Sequence, residues 1–453
     1  MSKKYFGTDG IRGEFGSEPL TENFFLILGA AIAKSLLKSN NDSRKKIVFG
    51  CDTRESSNKI IDLISVGLSS ENCIIHNAGI ISTPAIAFYT RKNNYDLGIV
   101  VSASHNLYQD NGIKIFNKNG YKISLEDENY IENYIEKLVN ENYICNNNCN
   151  LVDISKDIKK EYIDSCLKTV SLNKNTNNNI RLTLDLANGA NYEVGKEVFI
   201  KAGYQVNCYN DKPNGKNINE KCGSTYLKNL PDQISKDHSM YGISMDGDGD
   251  RIIIIDENNN FLDGDDILYT IIRGKIINQE KISGIVGTTM TNCALENYLK
   301  TVGIKFIRTD VGDKYVLNEL KKNDYELGGE TSGHILMLNH ATSGDSIIAA
   351  LQFLFYSDIL IKNNKNSLLE KYPQKITNIF FKQNLPENII NIAIKEASDK
   401  FSYNELRLII RKSGTENCIR IMLEAKDKKI VEEMSKKIKD YIEDKLKNLF
   451  SHQ

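Results

Sequence analysis

The stretch Leu97-Gly98-Ile99-Val100-Val101-Ser102-Ala103-Ser104-His105-Asn106 decides how the chain folds. Its first five residues are apolar without alternation, the pattern of a strand covered on both faces, and the next five are small or polar. Residues 47–49 form a second apolar run, with a helical stretch over residues 59–69 between the two, which is the βαβ rhythm of a mainly parallel sheet. Open α/β sheets bind ligands beyond the carboxyl ends of their strands, where Ser102 to Asn106 falls. A serine after a strand is by itself more often a helix N-cap, so this loop needs company before it carries chemistry.

The rhythm continues on both sides. Thr21 is an N-cap for a helix with Phe24, Leu28 and Ile32 on one face, and Ile131, Ile135 and Leu138 mark another helix. The asparagine-rich residues 146–150 form a boundary, after which residues 180–186 alternate as a strand and residues 242–245 and 252–255 flank an acidic loop. Asn258 to Asn260 is read as a turn. Strands follow near residue 285 and over residues 304–307, then a helix over residues 346–360. Two more strands over residues 406–410 and 419–424 precede a helix with Ile438, Ile442 and Leu446 on one face. At 453 residues the chain exceeds one core, which stops growing near ~250 to 300 residues, so several domains are expected. The boundaries read as 1–154, 155–257, 258–370 and 371–453. A short echo accompanies them: Asn94-Tyr95-Asp96-Leu97-Gly98 and Asp324-Tyr325-Glu326-Leu327-Gly328 each lead into a loop with Ser and His, and Tyr241-Gly242 leads into the acidic loop. Duplicated α/β units explain such an echo, as does chance.

Lys and Arg (58) nearly cancel Asp and Glu (59), which removes the basic field of a protein living on nucleic acid or on an anionic membrane. An anion must therefore meet a local cluster of positive groups. The longest apolar stretch, residues 24–33, falls short of the ~20 residues of a membrane helix, and Met1-Ser2-Lys3-Lys4 leads into no apolar signal core. A cytoplasmic protein with neither nucleic acid nor membrane as partner is expected. Nine scattered cysteines without a CxxC pair read as free thiols in a reducing compartment, and Cys145 and Cys149, the closest pair, lack a nearby His.

Three further loops carry chemistry. Asp246, Asp248 and Asp250 stand at alternate positions between two apolar strands, and three crowded carboxylates are tolerated when a hard cation neutralises them. An EF-hand is the rival, with Glu257 at its twelfth position; Arg251 occupies the place where that loop needs Gly, and strands replace the flanking helices, so Mg²⁺ is preferred to calcium. Arg411-Lys412-Ser413-Gly414-Thr415-Glu416 joins two strands with the donors of a phosphate nest, to which Arg420 adds a second fork; a plain hairpin loop reads equally well. Gly329-Glu330-Thr331-Ser332-Gly333-His334 sets groups suited to sugar hydroxyls between glycines.

These loops in this order, opened by Phe6-Gly7-Thr8-Asp9-Gly10-Ile11-Arg12-Gly13, resemble the phosphohexomutase superfamily along the whole chain, most closely its glucosamine branch. Leu186 to Ala190, Asp263-Gly264-Asp265 and Val311 to Val316 add to the resemblance. It implies four domains around a central active-site cleft: three related mixed α/β domains and a smaller, mobile C-terminal α+β domain. It also implies a phosphorylated Ser104, one Mg²⁺ on Asp246, Asp248 and Asp250 with an oxygen on Ser104 as a further ligand, and sugar contacts from Glu330, Ser332 and His334. Arg411, Ser413, Gly414, Thr415 and Arg420 would grip the non-reacting phosphate. A glucose or glucosamine 1,6-bisphosphate primer, a hexosamine phosphate substrate feeding UDP-N-acetylglucosamine and peptidoglycan synthesis, and a homodimer follow from the same resemblance. The chain departs from the family pattern at Leu107 and Asn417, where Pro is usual, and at Thr331, where Asn or Gln is usual.

Phosphoserine and substrate phosphate, each near −2, repel by roughly 10 kcal/mol at ~6 Å and an effective dielectric of ~20. Mg²⁺, Arg251, Arg12, Lys114 and His105 are the groups expected to cancel that repulsion, with Lys114 the candidate general base. Two other classes remain at this point: a metal-dependent phosphatase, and a non-catalytic sugar-phosphate sensor. A phosphoglucomutase or phosphomannomutase would share the same mechanism.

Overall fold

In the computed structural model the described residues are 4–7, 9–36, 44–69, 73–144, 149–171, 179–381, 385–403, 406–413 and 417–451. They form two compact units, residues 1–290 with 304–367, and residues 291–303 with 368–453.

The first unit holds three sheets. The first contains β1 (Ile11–Glu14), β2 (Lys45–Cys51), β3 (Cys73–Ile80), β4 (Leu97–Val101), β5 (Asp110–Asn117) and β6 (Leu151–Asp153) in the order β1-β5-β4-β2-β3-β6. The second contains β7 (Arg181–Asp185), β8 (Gln205–Tyr209), β9 (Tyr241–Met245), β10 (Ile252–Asp256) and β11 (Phe261–Leu262) in the order β11-β10-β9-β7-β8. The third contains β12 (Ile285–Thr288), β13 (Phe306–Thr309), β14 (Leu327–Gly329) and β15 (Ile335–Met337) in the order β13-β12-β14-β15.

One plan recurs in all three. A central strand (β2, β7, β12) is flanked by two parallel strands (β3 and β4, β8 and β9, β13 and β14), and the second of these turns back into an antiparallel partner (β5, β10, β15). The returning connection carries Ser104 in the first sheet, the three aspartates in the second and Glu330 to His334 in the third. The short sequence echo marks this shared position. Asn94, His238 and Asp324, all with φ between 52° and 55°, redirect the chain before β4, β9 and β14. Gly98, Gly242 and Gly328 then sit opposite Val48, Thr183 and Val286 of the central strands. A Cβ there would come within 2.2 Å of Thr90, 2.4 Å of Ile234 and 2.6 Å of the Val286 carbonyl, so glycine lets neighbouring groups close onto the strand.

The expected elements are present with small shifts. The first helix is Glu22–Leu36, its Phe24 N–H donated to Thr21 Oγ1 at 3.2 Å, and Phe24, Leu28 and Ile32 are buried. Burying each such side chain contributes about 1.5–3 kcal/mol. β13 begins at Phe306, later than the sequence pattern indicates, because the helix Cys293–Thr301 leaves through a turn at Gly303 with φ 73°. Helix Ser346–Lys362 is apolar nearly all round and correspondingly buried, with Asp345 capping it through the N–H groups of Ile347 and Ile348 at 3.0 Å. β5 was not legible: Asn111 and Lys114 interrupt its apolar pattern, yet both are buried.

The second unit is an antiparallel sheet of β16 (Gln374–Phe380), β17 (Arg407–Lys412) and β18 (Cys418–Glu424), ordered β16-β18-β17, with helices Glu387–Lys400 and Lys428–Ser451. Ile379, Ile390, Ile421, Ile438 and Ile442 fill its core. Helix Cys293–Thr301 belongs to this unit: Asn292 exchanges two hydrogen bonds with the backbone of Tyr372, at 2.9 and 3.0 Å. No helix among the described residues is long and apolar enough to cross a membrane.

Candidate active site

Ser104 is fully buried at the carboxyl end of β4 and adopts φ 52°, a left-handed conformation that strains a non-glycine residue and is over-represented at functional sites. Its hydroxyl donates to Asp246 Oδ2 at 2.7 Å, across 142 residues of sequence. The loop approach is close because position 247 is glycine; a Cβ there would stand 2.6 Å from the Ser104 carbonyl. Ser102, also buried, points elsewhere: its hydroxyl donates to Asp52 Oδ2 at 2.5 Å and accepts the Ser104 N–H at 2.9 Å.

Asp246, Asp248 and Asp250 are buried and present one carboxylate oxygen each within 4.8 Å of one another. Asp246 Oδ1 accepts the N–H groups of Asp250 and Arg251, both at 3.1 Å, which shapes the loop. Asp248 Oδ1 and Asp250 Oδ1 are buried without a hydrogen-bond partner. Two orphaned carboxylate oxygens in an all-oxygen cluster are the donor set that a hard divalent cation takes, so these residues fit Mg²⁺. The loop is held from three sides: Gly247 O accepts the Ala190 N–H (2.8 Å), Asp248 O the Thr83 N–H (2.9 Å) and Gly249 O the Ser346 N–H (3.0 Å).

Burial, then Asp250 and Asp248, push the Asp246 carboxyl well above the usual range. Burial acts on Asp250 in the same direction, but Lys114, His334 and Arg251 outweigh it and hold this carboxyl well below. Lys114, itself buried, places Nζ 2.7 Å from Asp248 Oδ2, 2.9 Å from Asp250 Oδ2 and 3.2 Å from Asp9 Oδ2. Burial opposes its charge, and the three carboxylates more than offset that, so Lys114 is an ammonium here. Burial, followed by Arg251 and Arg12, lowers His105 to about 4 and leaves its imidazole neutral, with Nδ1 3.4 Å from Ser104 Oγ. Arg12 pairs with Asp9, and the Nε groups of both Arg12 and Arg251 are buried without a hydrogen-bond partner.

Glu330 and His334 are buried on the loop of the third sheet, and Ser332 is exposed. Glu330 Oε1 accepts the Gly312 N–H at 3.0 Å, and His334 Nε2 lies 3.2 Å from the Gly344 N; burial opposes a proton on the His334 ring, but Asp250, Asp313 and Glu330 outweigh it and raise its pKa. Nδ1 lies 3.7 Å from Asp250 Oδ1. Thr331, one of the departures from the family pattern, donates to Asp265 Oδ2 at 3.2 Å.

Sequence reading missed a ring of charge that joins these loops. Lys122 pairs with both Asp9 and Asp313, and Asp313 Oδ2 lies 3.8 Å from His334 Nε2. Asp9 and Asp313 lie in the segments 6–13 and 311–316 that carry the family resemblance, whereas Lys122 follows β5 in sequence that carries no motif. Asp52 and Arg54 were missed too; their signal was a polar pair directly after the apolar β2.

In the second unit, Arg411 and Arg420 are direct cross-strand partners on β17 and β18. Like charges placed directly opposite each other are destabilising in a sheet. Ser413 is buried and donates its N–H to Cys418 O at 2.9 Å. Gly414 and Thr415 lie outside the described residues.

Family models match nearly the whole chain: Phosphoglucomutase/phosphomannomutase alpha/beta/alpha domain I over residues 3–142, domain II over 160–260, domain III over 263–376 and the C-terminal domain over 374–440. A phosphoglucosamine mutase of Nitrosococcus oceani is 41% identical over 437 residues, 94% of each chain. One of Buchnera aphidicola is 39% identical over 459 residues, covering 99% of this chain and 98% of its own. Among solved structures, a phosphoglucomutase/phosphomannomutase family protein of Burkholderia thailandensis has the same fold, with a TM-score of 0.79 at 17% identity and 97% coverage of both chains. An N-acetylphosphoglucosamine mutase of Aspergillus fumigatus, solved with GlcNAc-6P and magnesium, aligns with a TM-score of 0.62 at 18% identity over 98% of this chain and 96% of its own. Four matched domains in series, together with full-length relatives near 40% identity that share one name, place this chain in the phosphoglucosamine mutase family of the phosphohexomutases.

Proposed function

We propose that this mutase interconverts glucosamine 6-phosphate and glucosamine 1-phosphate in the cytoplasm, with Ser104 as the phosphoryl carrier. The observation that carries the reading is the 2.7 Å contact between Ser104 Oγ and Asp246, beside buried carboxylate oxygens that lack a hydrogen-bond partner. Ser104 gives its phosphoryl group to one sugar hydroxyl, the bisphosphate turns end for end, and Ser104 takes back the other phosphate. Asp246, Asp248 and Asp250 would hold Mg²⁺, which supplies neutralising charge to the transferring group. Arg251 and Arg12 supply further positive charge, and neutral His105 supplies a hydrogen bond. Glu330, Ser332 and His334 orient the sugar, and Arg411, Ser413, Gly414, Thr415 and Arg420 hold the distal phosphate. Lys114 serves as general base once Asp248, Asp250 and Asp9 are otherwise engaged and cease to hold its proton. A bisphosphate of glucose or glucosamine primes Ser104.

The test compares glucosamine, glucose and mannose 6-phosphates under one Mg²⁺ and one bisphosphate condition. The highest kcat/KM is expected for glucosamine 6-phosphate, by orders of magnitude if a group in the site pairs with the amine. Preference for glucose or mannose 6-phosphate keeps the phosphoserine mechanism and replaces the substrate. Net release of inorganic phosphate would return the phosphatase reading.

A further inference from the structure

The loop that carries Ser104 is fastened by two side chains outside the metal, sugar and phosphate sets. A guanidinium has five N–H donors, and in buried Arg54 all five are engaged. Nε donates to Asp52 Oδ2 at 2.9 Å; Nη1 donates to the carbonyls of Leu107 and Asp110, the latter at 2.9 Å; Nη2 donates to those of Ser104 at 3.1 Å and Asn106 at 2.8 Å. From the side of the second sheet, Asn219 Nδ2 donates to the same two carbonyls, Ser104 at 2.8 Å and Asn106 at 2.9 Å. The peptide groups on either side of Ser104 are therefore fixed: its N–H by Ser102 Oγ, its carbonyl by Arg54 and Asn219.

This clamp falls on a residue that needs one. Ser104 has φ 52°, and a relaxed backbone would swing its Oγ away from Asp246. A Cβ at Gly247 would stand 2.7 Å from Asn219 Nδ2, so the metal loop leaves room for the clamp. We propose that Arg54 and Asn219 are positioning residues for phosphoryl transfer, which hold Ser104 in its left-handed conformation and so set the line of attack without touching substrate. The proposal rests on the reading of Ser104 as phosphoryl carrier.

Two variants of the full chain test it. Arg54→Lys keeps the charge but has three donors and no planar fork, so it cannot serve four carbonyls and a carboxylate. Asn219→Gly removes the side chain and suits the φ of 58° at that position. With Mg²⁺ and glucose 1,6-bisphosphate, intact-mass time courses measure phosphate loading onto Ser104 and the loadable fraction, and steady-state kinetics measure turnover per loadable site. The expected result is a kcat per loadable site lower by about a hundredfold in Arg54→Lys and about tenfold in Asn219→Gly, with loading slowed in parallel and KM changed by less than about threefold. A purely structural role would reduce the loadable fraction and leave kcat per site unchanged, and that result overturns the proposal, as does a rise in KM that accounts for the whole loss. If Arg54→Lys fails to fold, the Asn219→Gly result decides. Wild-type protein that never loads phosphate on Ser104 overturns the carrier reading itself, an outcome separate from variants that load and turn over like the wild type.

Discussion

Lys114 Nζ lies 2.7 Å from Asp248 Oδ2, although one belongs to the first sheet and the other to the returning loop of the second. With Asp250 and Asp9 as further partners, the ammonium partly neutralises the aspartate cluster from within the protein. Without it the buried Asp248 and Asp250 carboxylates would stand uncompensated, which is costly in the protein interior.

Lys114→Met removes that internal cation. Unpairing buried carboxylates is expected to destabilise the metal-free protein by about 3–5 kcal/mol. Titration calorimetry should show Mg²⁺ binding at least about tenfold tighter than to wild type, because the ammonium no longer repels the dication. Equal or weaker Mg²⁺ binding would show that Lys114 does not share the site.

Ser104→Ala is expected to abolish turnover and to lose the phosphate seen by intact-mass spectrometry. Ser102→Ala should lose only about tenfold, since it leaves the Ser104 N–H without its partner, while Asp52 Oδ2 keeps the Arg54 Nε–H and Ser104 keeps the hydroxyl that faces Asp246. Equal phosphate content in the two variants would reassign the carrier.

Asp248→Asn exchanges one hard anionic ligand for an amide. The Mg²⁺ concentration for half-maximal activity should rise by roughly tenfold or more, with thermal stability near wild type because the Thr83 and Lys114 contacts to Oδ2 need only an oxygen. Full turnover by enzyme stripped with EDTA would remove the metal from the mechanism.

Asp345 provides a pH test away from the aspartate triad. Burial pushes its carboxyl up to about 6, against bonds from the Ile348 N–H, the Tyr162 hydroxyl and the Ile347 N–H. The unfolded chain releases this proton near the ordinary value of ~3.9, so between pH ~4 and ~6 the folded state binds more protons and stability falls as pH rises. Asp345→Asn cannot titrate and still caps the helix. Its stability relative to wild type should therefore increase by about 1 kcal/mol from pH 5 to pH 7.5 in urea titrations. A constant difference across that range would mean that Asp345 titrates near its ordinary value when folded.

The sequence by itself determined the strands that are apolar without interruption and the loops that follow them. β4, β9 and β10 are legible because burial on both faces leaves no room for polar alternation, and the three aspartates are legible because their mutual repulsion demands an explanation. Tertiary structure decided what one-dimensional spacing cannot express. β5 was hidden because its buried polar residues, Asn111 and Lys114, are satisfied by partners far along the chain, Ser56 and Asp248 among them. The four carbonyl acceptors of Arg54 and the pairing of Lys122 with Asp9 and Asp313 were hidden for the same reason. A charge or donor has no visible meaning until the fold brings its partner within about 3 Å, whereas an apolar strand carries its own evidence of burial.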